Sequence, residues 1–363
     1  MLIAILVAIV LLLIVFLYFS YRIKNIPDKK NLELSIDFEV KKFLNNKNID
    51  LVVGIYKDEK IYTKSYTQKN INENSIFQIA SITKVFTSLL LQILCDEKVV
   101  KMEQTLDELI GTKFKLSNDA KKITLKQLAT HTSGLPNIPK EIQKKILNQF
   151  GKEGLVLNPY SHIDTNLVFK YLEDTKDNHK MGNFVYSNYG MGLLGHILEL
   201  ITNKSYESLI IEKILKPLKM ENTNISLTQK TKELLTQGYN AKGKQTPLWE
   251  FNALYGAGAI NSNITDMLKF IKSNFDTNST LYNSFYSISN SNIGWMEAGF
   301  MENFFGNKNI LWHNGMVGGY SSYLSIDPNK KTGLIVLTNR SIDATMLGIM
   351  LTRQIRTQSY FKI

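Results

Sequence analysis

The longest unbroken run of hydrophobic residues lies at the start of the chain, from residue 2 to residue 19. About 18 residues of helix rise roughly 27 Å, close to the thickness of the hydrocarbon core of a bilayer. Only Met1 precedes this run and basic residues follow it, the reverse of the order in a cleaved signal peptide. The pattern predicts an uncleaved transmembrane anchor over residues 1–24 and a polar linker over residues 25–35.

Beyond the linker, strand-like and helical patterns alternate. Apolar, β-branched segments that are typical of strands lie near both ends of the chain. Longer apolar stretches with helical spacing lie mainly between them. Strands are expected at residues 49–56, 61–66, 310–312, 320–326 and 333–338, and helices at residues 36–44, 81–97, 206–215, 263–270 and 343–358.

The predicted helix from Ser81 to Glu97 is apolar on nearly all sides, so we expect it at the centre of the fold. Ser81 and Lys84 share one face of this helix, with Cβ atoms roughly 5–6 Å apart. A lysine near the positive end of a helix dipole and among apolar neighbours is pushed toward its neutral form. Because a neutral amine can take the proton of a serine, the pair is a candidate nucleophile and base.

This spacing alone does not establish an active site. A second Ser-x-x-Lys pattern occurs at residues 359–362, at the end of the chain, where we expect no chemistry. The alternative is that Ser81 only caps a core helix and that Lys84 is a surface residue with a buried stem. The rest of the chain has to decide between the two interpretations.

Composition narrows the class of protein. The chain has 363 residues, of which 44% are hydrophobic, enough for a sizeable core. The net charge of +11 comes almost entirely from lysine, so we expect no binding to nucleic acid, which favours arginine forks and clustered basic stripes.

Cys95 has no cysteine partner, and His131 has no ligand-spaced partner and is expected to be structural. We expect no metal ion and no cofactor.

Five motifs occur in one order along the chain. They are Ser81-Ile82-Thr83-Lys84, His131-Thr132-Ser133-Gly134-Leu135, Tyr186-Ser187-Asn188, Lys216-Pro217-Leu218-Lys219-Met220, and Trp312-His313-Asn314-Gly315 followed by Gly318-Gly319-Tyr320. In identity, order and separation they resemble the class C β-lactamase and low-molecular-weight penicillin-binding protein family of serine hydrolases. The resemblance covers roughly residues 48–339.

The resemblance implies a β-lactamase/transpeptidase-like fold of the α/β (α+β) class. A central antiparallel sheet flanked by helices would form a domain over residues 36–363, with an inserted all-α part at roughly residues 115–250. The family works outside the cytoplasmic membrane. Arg22 and Lys24, which follow the predicted anchor, favour the cytoplasmic side by the positive-inside rule. We expect the catalytic domain on the outer side, an expectation that rests on the family.

The resemblance also implies roles for residues of the first and third motifs. Ser81 would be the acyl-accepting nucleophile, with Lys84 as its partner. Tyr186 would be a second proton carrier, because a phenolate beside an ammonium can take a proton and return it to the leaving group. Asn188 would hold the substrate or Lys84.

The motif near the carboxyl end departs from the family's β-lactamases, which carry Lys-Thr-Gly at this place. Here His313, Asn314, Gly315 and Met316 would contact the substrate, and the amides of Ser81 and Met316 would form an oxyanion hole.

A literal Lys-Thr-Gly does occur at residues 331–333, but it follows the Asp327-Pro328-Asn329 turn. We therefore expect it at the solvent end of a hairpin, away from the chemistry.

Histidine in place of lysine removes a permanent positive charge from the place where a carboxylate would dock. We therefore expect a membrane-anchored serine hydrolase that acts through a Ser81 acyl-enzyme on amides or esters of the cell envelope, such as D-amino-acid peptides, or on small esters. Two alternatives stay open: a class C-type β-lactamase, and an inactive receptor for wall fragments.

The pocket would be shaped by residues 137–180 and 228–249. These segments carry no recognisable signature, so the substrate and acyl acceptor stay open, as does the oligomeric state.

Overall fold

The computed structural model describes residues 31–45, 49–67, 69, 71–175, 181–291, 293–296 and 309–357. The predicted anchor over residues 2–19 lies outside these residues. Among the residues described, no helix is both long enough and apolar enough to cross a membrane.

A five-stranded sheet forms the centre of the fold, with its strands in the order β2-β1-β7-β6-β5. The strands are β1 (Leu51–Lys57), β2 (Lys60–Tyr66), β5 (Leu311–Met316), β6 (Ser321–Asp327) and β7 (Thr332–Thr338). Every neighbouring pair is antiparallel, and β1 pairs both with β2, in the predicted hairpin, and with β7. Two short strands, β3 (Phe77–Gln78) and β4 (Asn261–Ser262), form a separate antiparallel pair. The predicted antiparallel sheet is confirmed.

Helices cover the sheet, and most of the described helices lie between β3 and β4 in the chain. They are α1 (Leu32–Leu44), α2 (Thr83–Asp96), α3 (Leu106–Ile110), α4 (Leu125–Ala129), α5 (Lys140–Leu157), α6 (Thr165–Asp174), α7 (Asn188–Thr202), α8 (Tyr206–Ile210), α9 (Gln229–Glu233), α10 (Ile264–Ser273), α11 (Tyr282–Ser291) and α12 (Thr345–Thr357). Helix α5 is interrupted at Gly151, whose backbone is not helical.

Helix α1 begins earlier than the sequence predicts, inside the segment assigned to the linker. The side chain of Asn31 accepts hydrogen bonds from the backbone N–H groups of Glu33 and Leu34, so this residue is the N-cap. Leu32 and Ile36 are fully buried in the core on one face of the sheet. Burial of these side chains makes the end of the expected linker part of the folded domain.

The side chains of β1 alternate between two hydrophobic cores, as the period of two along a strand requires. Val52 and Tyr56 belong to the larger core, which contains α2 and α10. Leu51, Val53 and Ile55 belong to the smaller core, which contains α1 and α12. Because both faces are covered, the strand has no alternation of apolar and polar residues from Leu51 to Tyr56, and its one charged residue, Lys57, is the last.

Helix α2 lies within the larger core, as its apolar sequence predicts. Nearly every residue from Thr83 to Leu94 is buried. The α-helix begins at Thr83, however, and residues 80–82 form a short 3₁₀ turn. Ser81 therefore lies in the turn between β3 and α2 and not in the first turn of an α-helix.

Candidate active site

Ser81 lies, half-buried, in a turn whose backbone is strained and firmly held. Ala80 has a φ of 51°, in the left-handed region, which costs a non-glycine residue roughly 1–3 kcal/mol. The N–H of Ile79 donates to the carbonyl of Ile260 at 3.0 Å. The hydroxyl of Ser322, on β6, donates to the carbonyl of Ile79 at 2.8 Å. Contacts with two strands therefore compensate the strain and fix Ser81.

Lys84 lies in the first turn of α2 and is fully buried. Its Nζ donates to Ser81 Oγ at 2.9 Å and to the carbonyl oxygen of Ala257 at 2.6 Å. Burial holds the pKa of Lys84 well below its usual value, because a charged ammonium is costly away from water. The structure brings the predicted nucleophile and the predicted base together, with the base inclined to the neutral form.

Tyr186 lies on the other side of the nucleophile. Its hydroxyl donates to Ser81 Oγ at 2.8 Å, and its ring centroid is 5.0 Å from Lys84 Nζ. Burial raises the pKa of Tyr186, and the hydrogen bond with Ser81 opposes this only in part. With the pKa of Lys84 lowered and that of Tyr186 raised, the uncharged amine and phenol are favoured. The neutral amine agrees with the form expected for Lys84 among apolar neighbours, but the phenol differs from the phenolate beside an ammonium that the resemblance implied for Tyr186, because both groups are shielded from water.

His131 supports the segment that carries Tyr186. Its Nδ1 accepts the backbone N–H of Ser187 at 3.2 Å, and its carbonyl accepts the N–H of Val185 at 2.7 Å. The ring centroids of His131 and Tyr186 are 4.7 Å apart. Burial, followed by the charges of Lys84 and His313, holds the pKa of His131 well below its usual value. These contacts agree with the structural role that the sequence predicts for this neutral histidine.

Asn188 is the first residue of α7 and lines the same cavity as Ser81. Its Oδ1 is buried and has no hydrogen-bond partner among the described residues. The hydrogen bonds of Lys84 run to Ser81 and Ala257. Of the two roles expected for Asn188, its position therefore suits contact with the substrate and not support of the lysine.

Strand β5 passes close to the turn that carries the nucleophile. A Cβ added to Gly315 would lie 2.7 Å from the carbonyl oxygen of Ile79 and 2.9 Å from Cβ of Ala80. Only glycine allows this approach. Met316 follows on the strand, is 55% exposed and lines the cavity. The two amides expected to form the oxyanion hole, those of Ser81 and Met316, thus belong to adjoining segments.

His313 is buried in β5, on the same face as Gly315. Its Nδ1 is 2.5 Å from the carbonyl oxygen of Asn314 and must donate, since that oxygen can only accept. Its Nε2 is buried and has no hydrogen-bond partner among the described residues. Burial, and after it the charge of Lys84, lowers the pKa of His313 to about 3. His313 therefore carries no positive charge at neutral pH.

The side chain of Asn314 faces away from the site, which corrects the expectation that it contacts the substrate. Successive side chains of a strand point to opposite faces, so Asn314 cannot share the direction of His313. Its Nδ2 donates to Oγ1 of Thr345, at the start of α12, at 2.8 Å. The residue instead attaches β5 to the helix on the other face of the sheet.

The literal Lys-Thr-Gly at residues 331–333 lies at the opposite end of the sheet. Gly333 pairs with Ile326, and Ile326 pairs with Leu311 at the beginning of β5. Gly315 is at the other end of that strand. Lys331 is exposed in the turn between β6 and β7. The prediction that this triplet lies at the solvent end of a hairpin is confirmed.

A cavity of about 330 Å³ adjoins Ser81. Besides Asn188 and Met316, its walls come mainly from residues 137–163 and 249–258, so they draw on the predicted pocket-shaping segments and extend past residue 249. The lining includes Tyr160, Trp249 and Phe251. Sequence reasoning did not identify these three side chains, because aromatic residues far apart in the chain carry no local pattern that links them.

The family model described as Beta-lactamase matches residues 40–354. The chain therefore belongs to the beta-lactamase family of serine hydrolases. Protein flp of Staphylococcus aureus (strain MW2) is 26% identical over 305 residues, which are 78% of this chain and 58% of that protein. Beta-lactamase-like protein 2 of Dictyostelium discoideum is 26% identical over 343 residues, 86% of this chain and 60% of that protein. The chain thus spans about three fifths of the length of these relatives.

Solved structures agree with the fold. A beta-lactamase/D-alanine carboxypeptidase from Pseudomonas syringae superposes with a TM-score of 0.74 at 17% identity, over 91% of this chain and 99% of that chain. A class C beta lactamase from Rhodobacter sphaeroides gives a TM-score of 0.72 at 18% identity, over 89% and 98% of the two chains. The predicted β-lactamase/transpeptidase-like fold is confirmed.

Proposed function

We propose that this chain hydrolyses amides or esters through an acyl-enzyme at Ser81. The observation that carries the proposal is the position of Ser81 Oγ, 2.9 Å from Lys84 Nζ and 2.8 Å from the Tyr186 hydroxyl, beside a cavity. A hydroxyl becomes an effective nucleophile when an adjacent base can take its proton. The Tyr186 hydroxyl, which bonds the same Ser81 oxygen, is a second proton carrier. It serves the later step, in which the leaving group needs a proton.

The first step is acylation. Neutral Lys84 takes the proton of Ser81 while Oγ attacks the carbonyl carbon of the substrate. Negative charge develops on the carbonyl oxygen, and the amides of Ser81 and Met316 donate hydrogen bonds to it.

The leaving group departs with a proton from the Tyr186 hydroxyl, and Tyr186 regains one from the Lys84 ammonium. The proton lost by Ser81 has then moved to the leaving amine or alcohol, and both carriers are back in their uncharged forms. In deacylation, water attacks the acyl carbon and gives a proton to the same pair, which returns a proton to Ser81 Oγ as the bond from Oγ to the acyl carbon breaks.

We further propose that residues 2–19 anchor the protein in a membrane and that the catalytic domain faces outward, toward the cell envelope. The support for the anchor is the apolar run itself. The support for wall peptides as substrates is the fold shared with a protein named a beta-lactamase/D-alanine carboxypeptidase. Proteins that share a fold can act on different substrates, so wall peptides are tested directly as substrates.

A true β-lactamase is the second candidate, because class C beta lactamases share the fold. The neutral state of His313 weighs against it, since no permanent charge at this position would hold the carboxylate of a β-lactam. Rapid nitrocefin turnover that survives Lys331→Ala but is lost in His313→Ala would favour this candidate over the first.

The proposed function is tested by turnover. Wild type and Ser81→Ala are offered a D-alanyl-D-alanine peptide, a p-nitrophenyl ester and nitrocefin, and the products are quantified. We expect wild type to release product from the peptide or the ester, with nitrocefin much slower, and Ser81→Ala to be inactive. Binding of a wall fragment that is equal in both proteins, without product from any substrate, would identify a silent receptor instead.

A further inference from the structure

The cavity beside Ser81 is bounded by uncharged side chains. Each described residue that lines it is aliphatic, aromatic or an uncharged polar residue, with no Lys, Arg, His, Asp or Glu among them. This is notable in a chain with 43 Lys+Arg and a net charge of +11. The charged residues of this chain thus lie elsewhere than on the described wall beside the nucleophile.

Three aromatic rings form one side of the cavity. The rings of Tyr160 and Phe251 are stacked with centroids 4.5 Å apart, and the centroids of Tyr160 and Trp249 are 5.7 Å apart. Aliphatic side chains, among them Ile138 and Ile146, contribute further apolar surface to the lining. Such a wall favours apolar groups through burial and ring contacts.

This wall is held in place relative to the nucleophile. The side chain of Gln78 donates to the carbonyl of Trp249 at 2.8 Å and accepts the N–H of Trp249 at 3.3 Å. Gln78 is buried in β3, just before the turn that carries Ser81. The two hydrogen bonds fix the distance between the aromatic wall and Ser81, so the cavity is preformed.

The residues that could offer a positive charge to a carboxylate do not do so here. His313 has a pKa of about 3, and burial inclines Lys84 to the neutral amine. Lys331 is exposed at the other end of the sheet. A carboxylate brought into the cavity would therefore lose part of its hydration without gaining a charged partner among the described residues.

We place the acyl side of a substrate, and not the leaving group, in this cavity. A leaving group must meet the Tyr186 hydroxyl to receive its proton, but Tyr186 does not line the cavity. Ser81 and Met316 do line it. The carbonyl held between these two residues therefore directs its acyl substituent toward the aromatic wall.

We propose that this cavity selects an uncharged, apolar acyl group, so that the preferred substrates are esters or amides whose acyl group is neutral and does not end in a carboxylate. The inference rests on the serine hydrolase function proposed above. A volume of about 330 Å³ lies at the lower end of ligand pockets, which span roughly 300–1,000 Å³. It fits an acyl group with a short branched chain or a single ring.

Two p-nitrophenyl esters of matched length test this specificity in the full-length chain. In the 4-methylpentanoate the acyl chain ends in an isopropyl group, and in the hemisuccinate it ends in a carboxylate. Release of p-nitrophenolate is followed through the first turnover and at steady state, and the rate in Ser81→Ala is subtracted. We expect kcat/KM to favour the neutral ester by about 100-fold or more, because the carboxylate is buried without a partner.

Substitutions at Ile138, which lines the cavity, test the physical cause. Ile138→Lys places a cation in the wall and should lower the preference for the neutral ester by roughly tenfold or more. Ile138→Met, a control of similar length without charge, should leave the ratio within about threefold of wild type.

Two results would overturn the inference. Ser81-dependent release from both esters at similar rates, or faster release from the hemisuccinate, would refute the apolar acyl preference while leaving the hydrolase function intact. No Ser81-dependent release from either ester would refute the specificity proposed here, and if the D-alanyl-D-alanine peptide also gave no product it would refute the hydrolase function as well.

Discussion

Lys84 is the residue whose protonation state decides whether the site can react. A charged ammonium could orient Ser81 and stabilise negative charge, but it could not take the serine proton. The structure favours the neutral form, because the amine is fully buried and donates to a backbone carbonyl, that of Ala257. We therefore assign Lys84 the role of a base and not of a fixed positive charge.

Lys84→Arg separates these two roles. Arginine keeps the positive charge but does not deprotonate in proteins. We expect Lys84→Arg and Lys84→Met to lose similar amounts of Ser81 acylation rate, about 10²- to 10⁴-fold, the usual contribution of a positioned base. Stopped-flow measurement with a p-nitrophenyl ester gives the rates. Substantial acylation in Lys84→Arg, with none in Lys84→Met, would show that charge alone suffices.

His313 makes stability depend on pH. Its pKa is about 3 in the folded chain and about 6.5 in an unfolded one, so between these values the unfolded chain binds more protons. The free energy of unfolding therefore falls as the pH drops through this window, by about 2 kcal/mol from pH 7 to pH 5 for this residue. Urea unfolding at both pH values measures the change.

His313→Gln should remove that part of the pH dependence, since glutamine does not titrate. His162→Gln is the matched control, because His162 is only half-buried, in the short turn after α5. An equal pH dependence in wild type and His313→Gln would mean that His313 is not buried in its neutral form.

At the scale of elements, the approach of β5 to the Ser81 turn holds the two halves of the site together. Gly315→Val places a side chain where the carbonyl of Ile79 and Ala80 already lie. We expect it to separate the strand from the turn and to lower acylation by about 100-fold or more, since small displacements of a reacting geometry are costly.

Asn314→Ala provides the comparison on the same strand. Its side chain bonds Thr345 on the opposite face, so we expect an acylation rate within about threefold of wild type and a loss of roughly 1 kcal/mol of stability. The acylation rate and the urea midpoint are measured for both variants. A large loss of acylation in Asn314→Ala would restore the original expectation that this side chain contacts the substrate.

The elements that the sequence predicts well are those with a strong local pattern. Helix α2 is a long apolar segment, and the strands of the sheet are β-branched runs bounded by turns. Two boundaries depend on tertiary contacts and were missed. The turn at Ala80 needs a left-handed alanine that only the surrounding strands can enforce. The predicted helix over residues 206–215 divides into α8 and a π-helical turn at Ile211–Leu215.

The residues of the site also divide into those that the sequence predicts and those that it does not. Ser81, Lys84 and Tyr186 could be named because motif identity and order carry information over long separations. The wall formed by Tyr160, Trp249 and Phe251 could not, because its rings meet only after the chain has folded. Asn314 was assigned to the site because motifs do not reveal which way each side chain of a strand points.

In the whole molecule, three segments that lie far apart in the sequence supply the reacting groups. The sheet and the packing of the helices bring these segments together. Ser81 and Lys84 lie at the start of α2 and in the turn before it, Tyr186 lies just before α7, and His313 and Met316 come from β5. Antiparallel pairing of β1 with β7 brings the two ends of the domain together. The site therefore depends on the complete domain, and we expect no active shorter fragment.

The proposed membrane orientation is a prediction about the whole chain. Residues 2–19 are expected to hold the protein at the membrane with the catalytic domain outside. Protease added to intact spheroplasts should then degrade the domain while a cytoplasmic marker protein survives. A domain that is cut only after lysis would place it on the cytoplasmic side, as the basic residues after residue 19 favour, and would remove wall peptides from the candidate substrates.

Covalent bond formation at Ser81 of the folded protein can be measured with a fluorophosphonate probe, which reacts with activated serine hydroxyls. The full-length chain is treated with the probe, its intact mass is measured, and the adduct is located by peptide mapping. The account predicts one probe per chain on Ser81, none in Ser81→Ala, and none after heat unfolding. A folded wild-type protein that remains unlabelled, or that is labelled at another residue, would contradict it.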